Sequence, residues 1–219
     1  MIRMSVGDLE SLRYWKAQED APIEDLLSRL KREAPPTPQM EAGKALAKLF
    51  ENAKPGELSS AEVDGWSFDF SRLDAELPLA PVRELKGEML FDTPNGQVLL
   101  VGVTDGMNGK HLRDQKLTER WDAEKYTDSL QWRAYLLMFQ AHAFTYDVFV
   151  GKYDLDDERV SRGFPGDDAY GPPIPAARWV QVYDYHPVTF YTYPDIRRDV
   201  ARAVCELAEI VATHIPEAA

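Results

Sequence analysis

The residue types and spacings best suited to chemistry lie in VGVTDGMNGKHLRDQKLT, residues 101–118. Asp105 ends an apolar run, and Asp114 and Lys116 follow nine and eleven residues later. Side chains alternate along a strand, so Asp114 and Lys116 share a face and Gln115 takes the other. A hairpin between the two runs brings Asp105 beside them. Two carboxylates so placed suit Mg²⁺ or Mn²⁺, which favour oxygen ligands and keep several waters. Such an ion polarises a phosphoryl oxygen and helps generate hydroxide. Lys116 can orient that water or offset charge developing on phosphate. An isolated D-x-K on a strand is usually a solvated face with a local ion pair. The chemical reading rests on an aspartate-ended strand, a glycine-bearing turn and the D-x-K strand occurring in that order.

A net charge of -12 opposes this chemistry, because proteins that grip phosphates are usually basic. A local basic strip and a bound cation can offset the repulsion. Lys110, Arg113, Arg120 and Arg133 cluster around the motif and read either as that strip or as ordinary charged surface. Trp121 and Trp132 read either as stacking platforms for unpaired bases or, more ordinarily, as core. The four histidines show no zinc spacing, and His111 beside the motif is an ordinary surface residue or a phosphate contact. Cys205, the single cysteine, can form neither an internal disulfide nor a thiolate cluster and reads as a small core residue. No Walker A sequence is present.

The elements that must position these residues follow from periodicity. With 219 residues, 44% hydrophobic and 11% aromatic, a single globular domain spanning 1–219 is expected. No run of eighteen apolar residues occurs, and the opening MIRMSVGDLESLRYW has no apolar core of a secretory signal. A soluble, cytoplasmic protein is the expectation. Residues 5–33 read as helical, with Ser5 as a cap, Asp8 in the first turn, and IEDLLSRLKRE as a second stretch. A further helix covers about 40–53 and ends at Pro55 and Gly56. Strands at about 83–93, 97–105 and 110–118 are expected as an antiparallel meander, with Asn95-Gly96 marking a hairpin turn. A helix over about 125–142 should pack on it, followed by a strand in TYDVFVGKYD, a long loop over 155–177, a strand in WVQVYDYHPVTFYTY and a closing amphipathic helix. The expected fold class is mixed α/β: a central mixed sheet with an antiparallel meander flanked by helices. A helical part is expected over about 1–80 and the core over about 81–219.

GVTD and DQK resemble the aspartate and D-x-K motifs of the PD-(D/E)XK nuclease superfamily, within its RecB-like and phage-exonuclease branch, and the likeness covers most of the chain. Gln131 and Tyr135 in QWRAY resemble the branch's Q-x-x-x-Y element and share a helix face. SVGDLESLRYW is similar to its opening helix, and GKALAKLFE to its G-x-x-x-H-x-x-x-E helix. The resemblance implies a restriction-endonuclease-like core and a Mg²⁺- or Mn²⁺-dependent deoxyribonuclease, an exonuclease of recombination, repair or phage DNA processing. It implies catalytic roles for Asp105, Asp114, Lys116, Gln131 and Tyr135. The implied partners are a duplex end or single strand of DNA and a recombination protein, in a bacterial or phage-encoded setting without a membrane; an oligomer is left open. One departure stands out. Four residues after Gly43, where the branch places a histidine or glutamate ligand, stands Ala47. Glu51, one turn later, can replace that ligand. Alternatively Asp105, Asp114, the Gln115 carbonyl and water hold the metal, or the site is weakened. The branch members with a four-cysteine iron–sulfur cluster are excluded by the cysteine count. A second class therefore stands beside the enzyme: a lapsed scaffold that binds DNA or a protein.

Overall fold

The computed structural model describes residues 1–33, 35–54, 60–154 and 178–215. The order of elements is β1 (Ile2–Ser5), α1 (Val6–Lys16), α2 (Ile23–Leu30), α3 (Pro38–Asn52), β2 (Ser60–Val63), β3 (Trp66–Asp69), β4 (Val82–Thr93), β5 (Gly96–Asn108), β6 (His111–Thr118), α4 (Glu124–Thr127), α5 (Leu130–Met138), β7 (Ala143–Asp154), β8 (Arg178–Tyr191) and α6 (Ile196–His214). The fold is mixed α/β, with one eight-stranded mixed sheet and helices on both faces. The acidic segment 155–177, expected as a loop, and Pro55 and Gly56, expected to end α3, lie outside the described residues. Among the described residues no helix is long and apolar enough to cross a membrane.

Local signals position the N-terminal elements. Ser5 caps α1 through a capping box: its hydroxyl accepts the Asp8 N–H at 3.2 Å, and Asp8 Oδ2 accepts the Ser5 N–H at 2.7 Å. The β4–β5 hairpin keeps one register from Val82↔Met107 to Thr93↔Gly96 and closes at Gly96, whose φ of 104° needs a residue without Cβ.

Three expectations are corrected. The segment 1–80 is not wholly helical, since β1, β2 and β3 come from it and join the sheet. Four-residue strands are too short for a period of two to stand out, and their place is set by partners: β1 pairs parallel with β5, and β3 parallel with β8. The meander is also incomplete. β5 and β6 pair only over Gly106–Asn108 and His111–Arg113, whereas β6 pairs in parallel with β7 along its whole length. The helix expected over 125–142 is two pieces, because Ser129 starts a new N-terminus at α5.

One apolar core lies between the sheet and α1, α5 and α6, built on Leu9, Leu100, Leu112, Phe144, Val148 and Val204. Trp132 belongs to it, stacked on Phe190 with centroids 4.6 Å apart, so its role is core. The other face packs α3 on Trp66, Phe68, Phe149 and Val180. Cys205 on α6 is a half-buried free thiol.

Candidate active site

The sheet opens where the predicted residues meet. β4 covers one edge of β5 from Gly96 to Met107, so β1 and β6 must share the other edge. β1 takes Val98–Val101 and β6 takes Gly106–Asn108. Among the described residues, 102–105 has no strand partner on that edge, and its polar groups must be satisfied otherwise. Tyr135 does part of this: its hydroxyl donates to the Val103 carbonyl at 2.7 Å. Its ring lies where a Cβ on Gly102 would be, and a Cβ on Gly87, the partner of Gly102 across the hairpin, would meet Met138 and Phe139. Two facing glycines thus let α5 lie against the sheet. Thr104 spans the gap by donating to the Arg113 carbonyl at 3.2 Å.

Asp105 spans it too. Its Oδ2 accepts the Gln115 N–H at 2.8 Å, so the carboxylate stands in for a missing main-chain partner. In an extended strand the N–H and C=O of one residue leave by the same edge, so the Gln115 carbonyl also faces the gap. Asp114 is buried, 3% exposed, and its Oδ1 accepts from Gln131 Nε2 at 2.8 Å. The Lys116 ammonium lies 2.6 Å from Asp114 Oδ2. That contact is an ion pair, and the ammonium is the partner of Oδ2. The structure therefore brings Asp105, Asp114, Gln115, Lys116 and Gln131 together. Tyr135 supports the site from inside α5.

The electrostatics follow from burial and like charge. Burial, and then the charge of Asp114, pushes the Asp105 carboxyl up to about 8. Burial raises Asp114 as well, against the opposing pull of Lys116. Burial works against the charge of Lys116, but Asp114 outweighs it and holds the ammonium above its usual range.

Four residues not singled out from the sequence complete the surroundings. Glu10 of α1 accepts from the Ser129 hydroxyl at 2.8 Å and from the N–H groups of Leu130 and Gln131 at 2.5 and 2.9 Å, capping α5 from another element. Tyr146, opposite Asp114 in the β6–β7 ladder, donates its hydroxyl hydrogen to the Ser129 oxygen at 2.7 Å, with Gln131 Oε1 3.3 Å away. Glu84 lies opposite Asp105 in the hairpin register, between the pairs Arg83↔Gly106 and Leu85↔Thr104, with a left-handed φ of 52°. Burial, Glu51 and Asp114 hold its carboxyl above the usual range. The register rule was the one available signal, and it points to Tyr146 and Glu84 only once the strand partners are known.

Other candidates sit elsewhere. Glu51 is exposed on the last turn of α3, across the sheet from α5, and its charge acts on Glu84. Among the described residues no three His, Cys, Asp or Glu side chains gather into an ion-binding group, so Glu51 does not join Asp105 and Asp114 in one. Ala47 is half-buried on α3. Arg113 is committed to buried Asp147, with Nε at 2.8 Å from Oδ2, and Arg133 donates to the Ser129 carbonyl at 2.6 Å. Neither is a free member of a basic strip. Lys110 and Arg120 are exposed. His111 bonds Thr145 at 2.7 Å, and burial followed by Arg113 lowers its pKa.

No protein-family model and no curated protein matches this chain. Among solved structures, one described as "Crystal structure of SSO0001" is similar over 96% of this chain and 77% of the other, with 11% sequence identity and a TM-score of 0.48.

Proposed function

We propose that this protein is a divalent-metal-dependent deoxyribonuclease of the PD-(D/E)XK type, acting as an exonuclease on phosphodiester bonds. The observation that carries this reading is the gap beside 102–105, where Asp105, Asp114, the Gln115 carbonyl and Lys116 face one another. The donor set suits Mg²⁺ or Mn²⁺. It supplies two carboxylates and a carbonyl, and an ammonium already stands at a buried carboxylate oxygen in the manner of a cation. Two carboxylates suffice for Mg²⁺, which is held by one or two carboxylates, waters and substrate phosphate rather than by a full protein cage. When bound, such an ion supplies a Lewis acid and a water of lowered pKa.

The chain's own groups do the rest. Gln131, whose N–H is held by Glu10, fixes the Asp114 carboxylate through Oδ1 and leaves Oδ2 turned to Lys116. Lys116 is about one-third exposed, so its ammonium can turn from Asp114 to a phosphate oxygen. Glu84 adds negative charge beside Asp105.

One observation favours a second reading, the lapsed scaffold. Ala47 offers no ligand, and Lys116 neutralises Asp114 unaided. Digestion of labelled linear DNA with Mg²⁺ or Mn²⁺ separates the two. Asp114→Asn and Lys116→Ala should each lower cleavage on the order of a hundredfold or more. Wild-type activity in Asp114→Asn would remove the assignment. If wild type is inactive but Ala47→His confers Mn²⁺ binding, the lapsed scaffold is the better description.

A further inference from the structure

β4 is an outermost strand of the sheet. β5 covers one of its edges from Val82 to Thr93, and among the described residues no strand pairs with the other. That edge is a row of main-chain N–H and C=O groups open to a further strand. The hairpin decides which residues present them. Thr93 and Gly96 flank a two-residue turn and form its hydrogen-bonded pair, so Leu85, Gly87, Met89 and Phe91 turn their main-chain groups to β5. Lys86, Glu88 and Leu90 turn theirs outward, and all three side chains are exposed. The usual devices that blunt an edge are missing. β4 is 12 residues long, carries no proline, and alternates its charges in sign.

Those charges complement themselves. When two copies pair antiparallel, outward residues must face outward residues, so the allowed registers differ by two residues. With a two-fold axis at Gly87, Lys86 stands opposite the partner's Glu88, and Glu88 opposite the partner's Lys86. A shift of two residues either way sets Lys86 on the partner's Lys86, or Glu88 on the partner's Glu88. Glu88 remains available, because its contact with Arg3 is exposed and 4.0 Å long. The position on the axis is the closest approach in an antiparallel ladder, about 4.5 Å between Cα atoms. It falls on a residue without a side chain, where Met138 and Phe139 fill the space of a Cβ. The same register sets half-buried Leu85 against the partner's Met89. Glu84, left-handed at φ 52°, ends the ladder.

We propose that two copies of this chain associate through β4, antiparallel about a two-fold axis at Gly87, with Lys86 and Glu88 setting the register. The two eight-stranded sheets then form one continuous sheet. A second copy fits better than a strand of another protein because the charge pattern is its own complement.

Sedimentation equilibrium of the full chain tests this without DNA or metal. Wild type should show a monomer–dimer equilibrium with a dissociation constant on the order of micromolar. Lys86→Glu turns two opposite-charge pairs into like-charge pairs and should weaken dimerisation about tenfold or more, as should Glu88→Lys. The double variant Lys86→Glu/Glu88→Lys rebuilds both pairs in the reverse sense and should dimerise like wild type. Both side chains are exposed, so these variants should keep the wild-type melting temperature. Glu88→Pro removes an outward N–H without touching the ladder to β5 and should also leave monomer. A wild type that stays monomeric at about 100 µM overturns the proposal and leaves β4 to a strand of another protein. A dimer that either single reversal leaves intact, or that the double variant fails to restore, overturns it as well.

Discussion

Glu84 is the residue at which local backbone preference and position disagree most plainly. A side chain with φ of 52° inside a strand costs about 1–2 kcal/mol relative to right-handed or extended backbone. Its carboxylate also faces the charges of Glu51 and Asp114. Glycine carries an entropic penalty of about 0.5–1 kcal/mol, smaller than the strain and repulsion together. Glu84→Gly should therefore stabilise the fold by about 1 kcal/mol in urea unfolding, and a loss of stability would show that the left-handed turn is not strained here. Lys116 makes a sharper case. Asp114 outweighs the effect of burial on its charge, so Asp114→Asn should lower the Lys116 pKa. Side-chain nitrogen NMR resolves that change separately from any effect on cleavage.

The elements hold the site by reaching across one another. Glu10 satisfies the start of α5 from α1, and Tyr135 of α5 satisfies β5 where strand pairing fails. Each contact closes a buried polar group that has no nearby main-chain partner, and leaving such a group unmade typically costs about 1–3 kcal/mol. Glu10→Ala should lower stability by that amount and loosen Gln131, whose N–H also lies on Glu10. Tyr135→Phe should cost a similar amount by orphaning the Val103 carbonyl. If Tyr135 acted directly in the reaction, Tyr135→Phe would instead abolish cleavage at unchanged stability. Urea unfolding and initial cleavage rates, measured on the same protein, separate the two roles.

For the whole molecule the buried carboxylates link stability, pH and metal. The folded-state pKa of Asp105, at about 8, lies above its unfolded value, so its contribution is fully present below the unfolded pKa and is lost as pH rises through about 8. Asp105→Asn does not titrate. Its stability relative to wild type should improve by more than about 1 kcal/mol between about pH 5 and pH 9 without metal. A flat difference would mean that Asp105 is already ionised at the lower pH. Metal should reverse the trend. Under the proposed assignment Mn²⁺ displaces the Asp105 proton, so its affinity should rise with pH up to about 8 and level off beyond. Calorimetry in buffers of different ionisation enthalpy counts that proton directly.

Much of the local structure is legible in the amino-acid sequence. Spacing alone puts Asp114 and Lys116 on one face, Asn95-Gly96 at the hairpin, Ser5 at a helix start and Gln131 one turn from Tyr135, because each depends on neighbours within a few residues. The mixed α/β class follows from the same periodicities. Tertiary structure decides what those periodicities leave open. β1 takes the edge of β5 that a full meander would have given to β6, and the resulting gap lets Asp105 reach the Gln115 backbone. Arg113, one residue from Asp114, is turned to the other face and spent on Asp147, and Trp132 is drawn into the core. Glu10 meets Leu130 and Gln131 across a separation of 120 and 121 residues. An alternation pattern states which face a side chain takes. Which element covers that face depends on strand pairing and helix docking, whose hydrogen bonds and apolar contacts many arrangements of the same segments can supply.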